Sequence, residues 1–229
     1  MLFRSPILKF GQIIGFATSD IEPGEHVHTH NCGFAPFERD YAFAQDAKPE
    51  DILPVEQQAT FQGFRRQNGS VGTRNYIGVM TSVNCSATVA RFIAEEVKRS
   101  GILDDYPNID GVIPLVHSTG CGIDSDGETF EVLKRTTWGY ACNPNMAGVL
   151  VVGLGCEGFQ IARMKQAYNV KESDTFRTMT IQDTGGTKKT VAAGVEAVRN
   201  MLAIVNKATR TTVPASKLML ALQCGGSDG

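Results

Sequence analysis

One phrase recurs four times in this chain: an apolar, largely β-branched run that delivers a cysteine at its end. It reads YIGVMTSVNC at Cys85, GVIPLVHSTGC at Cys121, GVLVVGLGC at Cys156 and LMLALQC at Cys224. The cysteines lie 36, 35 and 68 residues apart, and a strand-crossover-strand unit takes about 30 residues or more. Those spacings are one, one and two such units, which predicts an α/β fold with a parallel, doubly wound sheet of about five strands. Each cysteine then sits at the carboxyl end of a strand, the edge at which open α/β sheets bind ligands. A single cysteine there would be an ordinary small buried residue. Four at one topological position, each beside glycine or small polar residues, point instead to a thiolate-lined site for a soft or borderline metal or an iron-sulfur cluster.

The intervening segments read as helices. In 86–100, Val89, Phe92, Ile93 and Val97 are spaced as one helix face, and Gly101 supplies the stop. Further helices are expected near 127–140, up to about Tyr168, and from GGTKKT to about Lys207. They alternate with strands at 111–117, 148–154, 176–183 and 217–223. The strand at 176–183 carries no cysteine, which accounts for the doubled last spacing. Cys85 and Cys156 precede predicted helices, whose N-termini lower a thiol's pKa. Cys32 and Cys142 lack such surroundings. GGTKK (185–189) predicts an anion cradle at a helix start.

Residues 1–31 follow a different style, with short alternating segments around the turn Glu22-Pro23-Gly24-Glu25. That predicts a β-ribbon, too small to form an independent core. His26, His28 and His30 alternate within it, and on a strand they share one face, where they offer neutral nitrogen ligands or bases titrating near neutrality. Residues 32–62 hold scattered prolines, acidic residues and aromatics without a period, and are expected to be a linker anchored by Phe34, Phe37, Tyr41 and Phe43. The α/β region then spans 63–229. It opens on a hairpin (63–75) in which Asn68-Gly69 signals a type I′ turn. There Arg74 leads into the first core strand and is placed to meet an acidic ligand.

The 229 residues are 42 % hydrophobic and 20 % charged, with a net charge of −2. No basic run suggests nucleic acid, and no apolar stretch is long enough to cross a membrane. The N-terminus lacks the features of a secretory signal, so the cytoplasm is expected. In that compartment six cysteines speak for metal binding or catalysis and against a disulfide framework.

HVHTHN, GSVGTRNYIGV, SVNCSATVAR, HSTGCG, CNPNMAGVLVVGLGCE and LQCGGSDG, in this order, together resemble the altronate and galactarate dehydratase family of sugar-acid dehydratases. The resemblance implies an N-terminal SAF-type (β-clip) domain, here only its latter half in 1–31, before a catalytic region. It also implies dependence on ferrous iron or a similar divalent metal. Family members continue well past GGSDG, so the chain is expected to be truncated at both ends and, by itself, to bind metal weakly and turn over little substrate. The family commonly has His where Cys142 stands.

The resulting expectation is a hydro-lyase that converts a sugar acid to a 2-keto-3-deoxy acid. Cys85, Cys121, Cys156 and Cys224 would hold Fe2+, with an iron-sulfur cluster or Mn2+ as alternatives. His117, His28 and His30 are the candidate bases. Arg74, Asn84, Glu157 and Lys188 are the candidate contacts to substrate. The partner is a small sugar acid, with a homo-oligomer as a further candidate. A rival reading is a non-catalytic thiolate module holding structural zinc, although closed four-cysteine zinc sites usually draw on closely spaced pairs that this chain lacks.

Overall fold

The computed structural model describes residues 1–38, 47–124 and 126–223. The chain divides into two compact units, one running from Met1 to Leu53 and joined by residues from Leu220 on, the other from Pro54 to Met219. Among the described residues no helix is long and apolar enough to cross a membrane.

The first unit is a three-stranded antiparallel sheet of β1 (Pro6–Lys9), β2 (Gln12–Ala17) and β3 (Cys32–Gly33), in that order. Lys9 pairs with Gln12 across a two-residue turn whose residues, Phe10 and Gly11, both have positive φ. This is the geometry of a type I′ hairpin. Its small core is Ile7, Ala17 and Ile21, flanked by Val27 and Cys32. Phe37 packs edge-to-face on Phe16, while Phe34 is exposed and Tyr41 and Phe43 lie outside the described residues. The expected linker 32–62 is shorter than anticipated, because Cys32–Gly33 is a strand of the first sheet and Thr60 already begins a strand of the second unit.

That second unit begins with β4 (Thr60–Arg65) and β5 (Val71–Gly72), the hairpin read from the sequence, but its turn is not type I′. Only Gly69 has positive φ, and the Asn68 carboxamide accepts from Ser70 instead. Next come β6 (Tyr76–Thr81), α1 (Ala87–Arg99), β7 (Gly111–Leu115), α2 (Glu128–Ala141) and β8 (Met146–Gly153). They are followed by α3 (Ile161–Ala167), β9 (Phe176–Thr180), α4 (Ile181–Thr184), α5 (Thr187–Val205) and β10 (Thr211–Pro214). β7, β6, β8 and β9 form a parallel sheet in that order.

The two central strands are buried on both faces, as expected of uninterrupted apolar runs in parallel sheets. Ile77, Val79, Leu150 and Val152 point to one helical layer, with α1 and α5. Met80, Val149 and Val151 point to the other, with α2 and α3. Phe92, expected on the buried face of α1, is half exposed; Val89, Ala90, Ile93 and Val97 form that face. Where α1 and α5 meet, Gly194 lets the Ile93 side chain lie directly against the α5 backbone.

The expected fifth parallel strand at 217–223 is absent from the described residues. After α5 the chain forms β10 against β4, pairing Val213 with Phe61, and passes through a single 3-10 turn. Leu218, Met219, Leu220 and Leu222 remain exposed. An apolar run becomes a strand only where a neighbour accepts its backbone hydrogen bonds, and here no described strand does so. β9 is also shorter than the expected 176–183, since Thr180 caps α4 by accepting from the Asp183 amide.

Candidate functional site

Within the parallel sheet β6 is the first strand in sequence, with β7 on one side and β8 on the other. Chain order therefore reverses between β6 and β8, and the crevice at the carboxyl ends of such strands is where doubly wound sheets take ligands. Cys85 and Cys156 follow these two strands, and Cys121 follows β7. All three are exposed and unoxidised. The Cys85 thiol has Asn84 Oδ1 as its hydrogen-bond partner at 3.7 Å, and Cys121 and Cys156 stand near enough to act on its charge.

Helix position had suggested a lowered pKa for Cys85. It is raised, first by desolvation and then by the two neighbouring thiols, which disfavour a further negative charge. Cys224 lies outside the described residues. Among those described, no three His, Cys, Asp or Glu side chains form a group that could hold a metal ion as they stand.

The loops are tied to one another by short polar contacts. The Asn84 amide donates to the Thr119 carbonyl at 2.8 Å and the Phe159 amide to Gly120 at 3.4 Å. Gly120, at φ +100°, presses so close to the Ser82 carbonyl that a Cβ would lie 2.5 Å from its oxygen. Gly155, at φ +125°, leaves room in the same way for the Gln182 side chain. Beneath the loops, Ser86 Oγ donates to the Val152 carbonyl at 2.7 Å and Thr81 Oγ1 bonds both Val83 and Ser86. A cleft of about 610 Å³ opens beside the Cys156 loop, lined by Gln160, Lys165, Thr180 and Asp183 among others.

Of the substrate contacts expected from sequence, Asn84 is exposed beside Cys85, its Oδ1 3.7 Å from the sulfur. Glu157 is at the site but buried, with both carboxylate oxygens turned inward to Ser82, Leu154 and Gly155. Arg74 is elsewhere. It precedes β6 and so stands at the amino edge, a six-residue strand away from Cys85, or about 20 Å at 3.3 Å per residue. Lys188 lines a groove with Phe92, Glu95, Glu96 and Arg99 on the outside of α1 and α5. The expected GGTKK anion cradle is partly used up internally, because the Gly185 and Gly186 amides donate to the Gln182 and Ile181 carbonyls.

The candidate bases differ as sharply. His117 bonds the Thr81 carbonyl through Nε2 at 3.0 Å and accepts from the Thr119 amide at Nδ1. Backbone groups thus occupy both nitrogens, and burial lowers the imidazole's pKa. His28 and His30 belong to the first unit and are exposed. They do not lie on a strand as expected, since the His28 carbonyl accepts from the Asn31 and Cys32 amides and turns the chain. The three rings still cluster, with His26 stacked on His28 at 5.6 Å and 6.4 Å from His30. Buried Asn31 holds this loop through the His28 amide, the His26 carbonyl and Glu25.

Residues 63–206 match the family model described as D-galactarate dehydratase/altronate hydrolase, second domain. Residues 3–34 match the altronate/galactarate dehydratase SAF domain. The chain belongs to the D-galactarate dehydratase/altronate hydrolase family.

Among curated relatives, altronate dehydratase of Bacillus subtilis is 33 % identical over 227 residues. Galactarate dehydratase (L-threo-forming) of Escherichia coli is 34 % identical over 229 residues. Each alignment covers 97 % of this chain and 43 % of the relative, so the chain spans less than half their length. Altronate dehydratase of Escherichia coli is 29 % identical with the same coverage.

In this family member, sequence reasoning missed Ser82, Gln160 and Asn31 as organising residues. The side-chain partner of Ser82, Glu157, is 75 positions away. The one local signal was Asn31, directly after three alternating histidines.

Proposed function

We propose that the protein is a metal-dependent hydro-lyase that removes water from a sugar acid of the altronate or galactarate type, giving a 2-keto-3-deoxy acid. The observation that carries the reading is the convergence of the Cys85, Cys121 and Cys156 loops, tied by backbone hydrogen bonds at the carboxyl edge beside the point where strand order reverses. The activities for which the relatives are named support the substrate class.

Thiolate ligands suit a soft or borderline metal better than magnesium. In this reading Cys85, Cys121 and Cys156, with Cys224, would hold iron, as Fe2+ or in a cluster, with Mn2+ the alternative, and the metal would supply Lewis acidity toward the departing hydroxyl. The protein's own groups do the rest. The cleft beside the Cys156 loop has room for a six-carbon acid, with Gln160 and Thr180 offering hydrogen bonds to hydroxyls and Lys165 a cation for a carboxylate, while Asn84 stands beside Cys85.

The proton beside the substrate carboxylate needs a base with a free nitrogen. His117 lacks one and is assigned a holding role, while the exposed imidazoles of His28 and His30 remain candidates on the first unit, where Nδ1 of His28 pairs with Thr29 Oγ1 at 3.1 Å. The five described cysteines are all free, which supports a reducing, cytoplasmic setting.

Anaerobic purification with metal analysis, followed by assay on altronate and galactarate, tests the reading. Retained iron and formation of a 2-keto acid are expected. Full activity with magnesium and no iron would overturn the metal assignment, and bound metal without turnover would favour a structural module.

A further inference from the structure

Among the described residues, Glu157 is the one acidic or basic side chain that is buried, at 3 % exposure. A carboxylate in such a place must be compensated by donors. Here Ser82 Oγ donates to Oε1 at 2.7 Å and the Leu154 amide to the same oxygen at 3.3 Å, while the Gly155 amide donates to Oε2 at 2.6 Å. Ser82 lies three residues before Cys85, and Glu157 directly follows Cys156. One side chain therefore clasps the two loops that carry these thiols.

The surroundings are shaped for that carboxylate. At Gly153 a Cβ would lie 2.4 Å from Oε1, so only glycine lets the side chain fold back over the end of β8. Gln160 Nε2 donates to the Glu157 carbonyl at 2.6 Å and fixes the backbone from the other side. Ser82 is itself fully buried and its amide donates to the Val152 carbonyl, so the clasp is anchored on the strand end and not on a mobile loop tip.

We infer that Glu157 is a positioning residue for the thiol site, its carboxylate setting the separation of Cys85 and Cys156. The purpose of that spacing, ligation of a metal, rests on the function proposed above; the spacing itself does not. Glutamine cannot replace the group fully, since an amide carries one acceptor oxygen and its NH2 must face one of the three donors.

The test uses the full-length protein, reduced and stripped of metal under argon, and dibromobimane, whose two arms bridge thiols only a few ångströms apart. Peptide mapping gives the ratio of Cys85–Cys156 bridge to singly alkylated Cys85. Relative to wild type, Glu157→Ala should lower that ratio about tenfold or more, as loss of charge-assisted hydrogen bonds predicts. Glu157→Gln and Ser82→Ala should give smaller losses, and combining these two should add little, because both open the same clasp. Circular dichroism and the exposed-carboxylate control Glu131→Gln report on general unfolding.

If Glu157→Ala fails to fold, the Gln and Ser82 variants carry the test. An unchanged bridging ratio in folded variants would overturn the inference. A fall in the ratio in a protein that never binds metal would uphold Glu157 as the clasp while removing the metal-site reading.

Discussion

His117 donates from Nε2 to the Thr81 carbonyl at 3.0 Å, so the loop bearing Cys121 hangs from the neighbouring strand by a neutral imidazole. Burial lowers the pKa of this ring below the usual value of 6.5. In the window below about 6.5 the unfolded chain binds a proton that the folded chain refuses, so stability is complete above that pH and declines as pH falls through the window. The thermal midpoint should therefore drop as pH is lowered from about 7 toward 5, with a shallower slope in His117→Gln. A second decline belongs to Glu172. Desolvation raises its pKa, but Thr178, Lys165 and Arg177 outweigh this and hold it below 4.5, so its contribution is lost only in stronger acid. Identical slopes in wild type and His117→Gln between pH 7 and 5 would refute the assignment.

Gly194→Ala should destabilise the second unit although it sits within helix α5, where alanine is otherwise favoured by about 1 kcal/mol. The new methyl would lie 2.3 Å from Ile93 Cδ1 and 2.8 Å from Cγ1. Overpacking of this kind costs about 1–3 kcal/mol. Ile93→Val removes the nearer of these atoms, so urea unfolding of Ile93→Val/Gly194→Ala should show it less destabilised than the sum of the two single changes. Strict additivity would show that α1 and α5 do not compete for this space.

Asn31→Ala should loosen the histidine loop of the first unit. It deletes the acceptor for the His28 amide at 2.9 Å and the donor to the His26 carbonyl at 3.0 Å, both partly buried and made by a buried side chain. Unsatisfied buried groups cost about 1–3 kcal/mol, enough to disorder a short turn. NMR of the imidazole protons should then show the contact between the His26 and His28 rings lost. Persistence of that contact in Asn31→Ala would mean that the backbone turn alone holds the rings.

Neutralising Arg74 should leave the KM for galactarate or altronate within about twofold of wild type, because it stands at the amino edge and its guanidinium reaches no further than the Thr73 carbonyl, a screened, exposed position. Lys188→Ala should be equally silent. Asn84→Ala, beside Cys85, should raise KM several-fold. Steady-state kinetics on the three variants decides this, and a large effect from Arg74→Ala alone would relocate the substrate site.

Much of the second unit was legible in the sequence because its signals are local. β6 and β8 are buried on both faces, so their apolar runs are unbroken, and α1 announces itself by helical spacing and the glycine after it. The strand expected at 217–223 shows where such signals mislead. Apolar content states what a segment can bury, whereas pairing depends on a free neighbour, and β4 draws in residues 211–214 instead. The histidines show the converse, since their clustering was readable but the turn that produces it depends on one buried asparagine.

Residues alone were enough to read the family, the parallel strands from β6 to β9 and the placement of Cys85, Cys121 and Cys156 at one edge. Strand polarity in a βαβ chain places every strand's end on the same side. Which candidates stay together was settled by packing. It sent Arg74 to the far edge, turned Glu157 inward onto Ser82 and closed both nitrogens of His117 on the backbone. These outcomes turn on hydrogen-bond partners 36 and 75 residues distant in the chain, and no periodicity or motif encodes which donor a buried acceptor will meet once the loops have packed.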